Sequence, residues 1–363
     1  MATTAGSVFL IDNIAKKDSK VVSNLKAQGA ILIAKANLKE LANYIGNIPD
    51  GYSSYGGRVI CGYGKDCIVG GSSSGSAVAE TIGLSVFTLG TDTSYSVIHC
   101  AGLNGVIGFK PNVKNISQDG VVPITKYLDA VGIFTRNIDD LSIVLNSILK
   151  KKNSIKTINK DIYNIGIDNC RKEEIPSEYL DKLNLFIKKI KDNNTNINIE
   201  NTFFPNQAYI YELMKRDYAI SFNNYLSKST SSIKSFEDLL NAYLNNQEAS
   251  KYGVDILVKA NDFSKQEDNV DRIKEILNTI KHDKKKFMKL LNKYDVIIET
   301  GLTSSIHVFN VPSISIPFTK GDNNVPINII MYSKDESLLL SFSKYISKLI
   351  DKELIYKILD EYK

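Results

Sequence analysis

The chain has 363 residues, 43% hydrophobic and 23% charged, the balance of an ordinary globular protein with room for one large core or two modest ones. Its net charge of +5 comes from 45 basic and 40 acidic residues spread along the chain, which gives little support to nucleic-acid binding. Four cysteines without CxxC spacing (Cys61, Cys67, Cys100, Cys170) and only three histidines (His99, His282, His307) offer no metal-ligand set, so neither metal nor cofactor is expected. The one dense basic run, Lys281 to Lys289, reads as the solvated face of a helix. No stretch reaches the roughly 18 apolar residues of a membrane span, and the first residues lack a leader's basic start. A cytoplasmic setting with reduced thiols is expected, with a leader on a longer parent protein left open.

From the amino terminus, Met1 to Ser7 reads as loop, and Ala15 to Gln28 as an amphipathic helix with Val21, Val22 and Leu25 on one side. Gly29 ends it, Ala30 to Ala34 follows as a short buried strand, and Leu38 to Tyr44 as a short helix. Asn47 to Gly71, rich in glycine and aromatics, reads as a long ordered loop. Ser76 to Ile82 starts a small-residue helix, Leu84 to Leu89 a buried strand, Val97 to Leu103 a helix, Gly105 to Phe109 a strand and Asp139 to Leu149 a helix. Lys150 to Lys160 is a polar linker, Tyr163 to Ile167 a strand and Ser177 to Ile190 an amphipathic helix. Residues 205 to 293 are mainly helical, the clearest stripe being Val270, Ile273, Ile276, Leu277 and Ile280, then Phe287, Leu290 and Leu291. Asp295 to Thr300, Ser313 to Phe318 and Ile327 to Tyr332 are strands, and Glu336 to Ile350 is a closing helix. The pattern is mixed α/β.

Two loops crowded with small hydroxyl residues stand out: Gly70-Gly71-Ser72-Ser73-Ser74-Gly75-Ser76 and Gly90-Thr91-Asp92-Thr93-Ser94-Tyr95-Ser96. Each runs into a helix start, where free N–H groups can hold an oxyanion. Together they can place one serine where a carbonyl is attacked. The run from Gly70 through Lys110-Pro111 resembles the signature of the amidase signature family, whose pattern is Gly-Gly-Ser-Ser, then Gly-Thr-Asp-x-Gly-Gly-Ser, then Gly-x-x-Gly-x-Lys-Pro. Further matches to the peptide-amidase-like branch are Ala2 to Ser7, Ala34 to Leu38, Asn223 to Leu226, Tyr252-Gly253 and Val311 to Pro317.

The resemblance implies an α/β amidase-signature fold: a central mixed β-sheet flanked by helices, with a helical insert. It implies a single domain over residues 1–363 that lacks its N-terminal segment, with 151–294 as a variable, mainly helical insert. By position, Ser96 is the nucleophile and Ser72, after a cis peptide bond, relays its proton to a lysine. The N–H groups of Thr93, Ser94, Tyr95 and Ser96 form the oxyanion hole, and Gly70, Gly71, Ser73 and Asp92 brace the loops. The substrate is a small-molecule or peptide amide, with no nucleic-acid or membrane partner. A serine hydroxyl needs such a base within hydrogen-bond reach to become a nucleophile.

The chain also departs from that pattern. The family's lysine precedes the Thr-Thr-Ala-Gly-Ser run, which starts here at Thr3, so its position falls before Met1 and the base is absent. Lys35 matches a different, structural position. Ser94 and Tyr95 replace two glycines. A tyrosine held at positive φ costs on the order of 1–2 kcal/mol and is expected to occlude the site. Ile98 replaces an arginine common in tRNA amidotransferase subunits and Cys100 a proline, while His99 reads as packing beside the loop. Three readings of the chain follow: part of a longer carboxamide hydrolase, a pseudoenzyme or binding protein that keeps the cleft, or a decayed remnant.

Overall fold

The computed structural model describes residues 1–149, 155–158, 160, 162–193, 197–204, 207–322 and 324–350. A small hairpin, β1 (Tyr52–Ser53) and β2 (Gly57–Arg58), sits within the long loop after residue 47. The sheet that organises the molecule is built from β3 (Thr88–Asp92), β4 (Ile107–Lys110), β5 (Ala130–Thr135), β6 (Tyr163–Asp168), β7 (Ile197–Thr202), β8 (Val296–Glu299), β9 (Ser313–Lys320) and β10 (Pro326–Tyr332). Their order is β3-β5-β4-β9-β10-β8-β6-β7. Neighbours run antiparallel from β3 to β8, and β8, β6 and β7 run parallel, so the sheet is mixed. The helix Ser177–Asn193 carries the chain from β6 to parallel β7, the long crossover that a parallel pair requires.

Alternation along the strands feeds two cores, one on each face. Val296, Ile298, Ile329 and Met331 join the core beneath helices Ile138–Ile148, Ser177–Asn193 and Glu336–Ser347. Ile297 and Tyr332 face the other way, into a core shared with helices Ile210–Leu226, Phe236–Leu244 and Asn269–Leu291. In the last of these, Ile273, Ile276, Phe287 and Leu291 are buried as the stripe predicts, whereas Val270 at its start is exposed. The segment 151–294 is not helical alone, because β6 and β7 extend the central sheet at its far edge. Residues 150–154 and 159 of the expected linker lie outside the described residues.

Four local expectations are corrected. Ala30 to Ala34 is not a buried strand: it is irregular, with Ile31 86% and Ile33 72% exposed. Strand composition is not enough without a neighbour to pair its N–H and C=O groups, and among the described residues none lies beside it. Leu38 to Tyr44 is not an ordinary helix, since Leu41, Ala42 and Asn43 all have positive φ (47°, 58° and 63°) and form a left-handed turn. The strand expected at Leu84 to Leu89 starts later, at Thr88, where pairing with Phe134 of β5 begins; Leu84 and Val86 are exposed. The closing helix ends at Ser347 rather than Ile350. Two strands of the central sheet lack a counterpart in the sequence reading, β5, buried at all six positions, and β7, as does the small hairpin β1–β2.

The sheet ends at β3, next to the serine loops. Its outer edge is covered by the start of the preceding helix, Ser74–Thr81: Ser73 Oγ both donates to Thr91 O (3.2 Å) and accepts from Thr91 N–H (3.3 Å), and Ser76 Oγ donates to Leu89 O (2.8 Å). Hydroxyls thus occupy the positions that a further strand's peptide groups would take.

Candidate active site

The first serine loop enters helix Ser74–Thr81 through a cis peptide bond between Gly71 and Ser72. Two glycines are needed here for close approach. A Cβ on Gly75 would lie 2.2 Å from the Asn37 carbonyl oxygen, and one on Gly71 would lie 2.8 Å from Lys39 Cδ. Asn37 O accepts from Gly75 N–H (3.1 Å) and Ser72 O accepts from Lys39 N–H (3.0 Å), so the 37–39 segment clamps the loop. Asp50 Oδ2 receives the N–H groups of Val69 (2.7 Å) and Gly70 (3.3 Å) from below.

The second loop leaves β3 at Asp92, whose Oδ2 accepts from Val97 N–H (2.8 Å) and Ile98 N–H (3.1 Å) at the start of helix Ile98–Asn104. Thr93 Oγ1 donates to Asp129 Oδ1 (2.6 Å), which burial pushes up to about 7. Ser73 N–H reaches Ser96 O (3.4 Å), joining the loops. Ser72 and Ser96 are both buried. Among the described residues, the N–H groups of Thr93, Ser94 and Ser96 form no hydrogen bond, which leaves three backbone donors together in one turn.

Tyr95 departs from two expectations. Its φ is 68°, but its side chain does not occlude the site: it runs into the core, edge-on to His307 at 4.3 Å between ring centroids. Its hydroxyl lies 2.7 Å from Glu299 Oε1 and also contacts Thr303 O. Nor is its N–H a free oxyanion donor, because it donates to His307 Nε2 (3.0 Å). With Nε2 accepting, the neutral ring carries its proton on Nδ1, which faces Asp92 Oδ1 at 3.2 Å. His307 and Asp92 are neighbours without a hydrogen bond between them, and the ring nitrogen that would serve a nucleophile is fixed on the loop backbone.

This buried set is what sequence reasoning missed. The available signals were a carboxylate ending the apolar strand at Glu299 and one of only three histidines at His307. Burial lowers His307 to about 4 and raises Glu299 to about 8, so both are neutral near pH 7. Glu299 is raised from an ordinary 4.5, so its contribution to stability is full below that value and is lost as pH rises through about 8. The His307 contribution has the opposite sense: it is full above 6.5 and is lost as pH falls through about 4. The melting temperature is expected to fall between about pH 6.5, where the His307 contribution is complete, and about pH 8, and Glu299→Gln to flatten that fall. Equal alkaline slopes in both proteins would rule out Glu299 as the cause.

Other basic side chains are placed away from the two hydroxyls. Lys35 Nζ bonds Met1 O (3.2 Å) and Thr3 Oγ1, tying the amino terminus down. Lys39 lies along Gly71; burial lowers it, with Asp50 and Cys100 as its charge neighbours. His99 is also lowered by burial. Among the described residues, none of these donates to or accepts from Ser72 Oγ or Ser96 Oγ.

A cavity of about 430 Å³ opens over Thr93, Ser94 and Ser96. Its walls include Ala42, Asn43 and Tyr44 from the left-handed turn and Ile124, Met214 and Ile256 from the surrounding core. Tyr95 is not among its lining residues. A larger groove of about 620 Å³, lined by Lys16, Leu32, Gly120 and Tyr225 among others, contains neither serine. The smaller cavity is the one with chemistry at its floor.

A mixed eight-stranded sheet between two helical layers, with its serine loops at one edge, is the fold of the amidase-signature structures. It matches an amidase family protein from Bacillus anthracis (TM-score 0.85, 22% identity, 96% of this chain and 74% of that one). It also matches the native peptide amidase from Stenotrophomonas maltophilia (TM-score 0.83, 22% identity, 96% and 80%). The Amidase family pattern covers residues 1–303, and the chain belongs to that family. A probable amidase of Arabidopsis thaliana is 27% identical over 96% of this chain and 74% of its own length. Among the described residues no helix is long and apolar enough to cross a membrane.

Proposed function

We propose that the site is built for hydrolysis of a linear carboxamide, with Ser96 as nucleophile, Ser72 as proton relay, and the Thr93, Ser94 and Ser96 N–H groups as the oxyanion hole. The observation that carries this reading is the set of three unpaired N–H groups beside Ser96 on the floor of an open cavity. Donors fixed before the reaction stabilise the developing oxyanion without reorganisation, each contributing about 3–4 kcal/mol. Water attack on the acyl-Ser96 ester would then complete the cycle.

In this reading the chain retains the nucleophile, relay and oxyanion donors, but among the described residues no base is bonded to either hydroxyl, so the 363 residues by themselves are expected not to turn over. The intact cavity equally supports the second reading, a cleft that binds amides without cleaving them. Incubation with a peptide carboxamide or a simple aryl amide is expected to release no product above buffer background. Measurable turnover that disappears in Ser96→Ala would overturn the missing-base half of this reading.

A further inference from the structure

The cavity over Ser96 changes character from floor to mouth. At the floor are the unpaired N–H groups of Thr93, Ser94 and Ser96. Midway, Tyr44, Ile124 and Met214 are buried and apolar apart from the phenol. Toward solvent the lining is charged: half-buried Lys215 on helix Ile210–Leu226, and exposed Lys259 and Asp255 on helix Asp255–Ser264. Lys259 and Asp255 are 59% and 60% exposed and approach only to 4.0 Å. Lys215 has no ion pair or hydrogen bond among the described residues. The mouth thus has two ammonium groups against one carboxylate.

We propose that the cavity selects amides whose far end carries a carboxylate, the half-amides of dicarboxylic acids, with Lys215 and Lys259 as the specificity-determining residues. The inference rests on the amide-site reading above. In a half-amide, the amide carbonyl meets the N–H groups at the floor, the methylene chain lies along the Tyr44, Ile124 and Met214 wall, and the carboxylate reaches the ammonium pair. Each part then meets its complement: apolar chain on apolar wall, and anion beside cations whose existing neutralisation is incomplete. A neutral amide of the same length would leave the ammonium pair without a partner. The N–H groups at the floor can themselves hold an anion, so the opposite orientation, carboxylate at the floor, is the competing arrangement that the test must separate.

The test is ligand-observed NMR titration of the intact chain with succinamic, glutaramic and adipamic acids, each paired with the neutral amide of equal chain length. Binding requires no turnover, so the absence of a base does not affect the readout. At low salt at least one half-amide is expected to bind about five- to tenfold more tightly than its neutral partner. The advantage is expected to shrink on adding salt, to disappear in Lys215→Met/Lys259→Met, and to reverse in Lys215→Glu. Retention of the advantage in the double variant would place the carboxylate on the floor N–H groups and overturn the proposal. Equal binding of both members of every pair, with Ser96→Trp abolishing it, would overturn the proposal and leave the amide site standing. Failure of every amide to bind would overturn both.

Discussion

Extending the chain upstream with a segment that places a lysine ammonium beside Ser72 is expected to raise hydrolysis of a simple aryl amide by about 10²–10⁴-fold over the 363 residues alone, the range a positioned general base supplies. Ser96 and the Thr93 and Ser94 N–H groups already line the cavity, so in the proposed reading the proton is what lacks a destination. The Ser72 hydroxyl has no hydrogen bond to a base among the described residues, and the nearby lysines are engaged elsewhere or lie along the backbone. Two controls define the effect: Ser96→Ala in the extended protein abolishes the gain, and the same extension with its lysine changed to methionine does not produce it. Tyr95→Gly should not be needed, because the tyrosine side chain lies outside the cavity lining. An extended protein that stays at background until Tyr95→Gly is added would show that the altered loop, not the base, limits the site. Release of the liberated aniline, followed by absorbance, reads all of these variants.

Asp92→Ala is expected to destabilise the fold by on the order of 3–6 kcal/mol, read as the shift in the urea unfolding midpoint multiplied by an unchanged slope. The carboxyl is fully buried: its Oδ2 accepts from the N–H of Val97 and the N–H of Ile98, while its Oδ1 lies 3.2 Å from His307 Nδ1 without a hydrogen bond. Alanine would leave the two N–H groups without their partner in a water-excluded site, and each unsatisfied group costs about 1–3 kcal/mol. Asp92→Asn keeps a carbonyl oxygen for the two N–H groups and is expected to lose less than half as much. Because His307 Nε2 holds the Tyr95 N–H, the Ala variant should also loosen the turn that presents Ser94 and Ser96. A loss below about 1 kcal/mol in Asp92→Ala would mean that the helix start is held by something else.

The serine loops could be identified from sequence because their geometry is local. A glycine- and hydroxyl-rich turn running into a helix is written in consecutive residues, although the Asn37 and Lys39 for which its glycines leave room come from a distant segment. The helical stripe over Asn269–Leu291 and the strands at Ser313–Lys320 and Pro326–Tyr332 were legible for the same reason, since one face of each had to be apolar. Ala30 to Ala34 shows where such reading fails. Its composition suits a strand, but a strand exists only beside another, and the one-dimensional pattern does not carry that neighbour. β5 escaped for a related reason: buried on both faces, its short run Ala130–Thr135 has no alternation to detect.

The sequence by itself determined the two serine loops and most of the strands and helices along the chain. Only the tertiary structure decided the fate of the loop's odd residue. Tyr95 is 204 positions from Glu299 and 212 from His307, and no local pattern links them. Folding brings β3 and β8 into one sheet, with Glu299 ending β8 on the same face as Ile297 and His307 following a few residues later. The tyrosine hydroxyl therefore finds a carboxyl in the core, while its backbone N–H is taken by an imidazole. The loop's strained residue is held by contacts from distant parts of the chain, because a buried hydroxyl and a buried N–H must each find a partner.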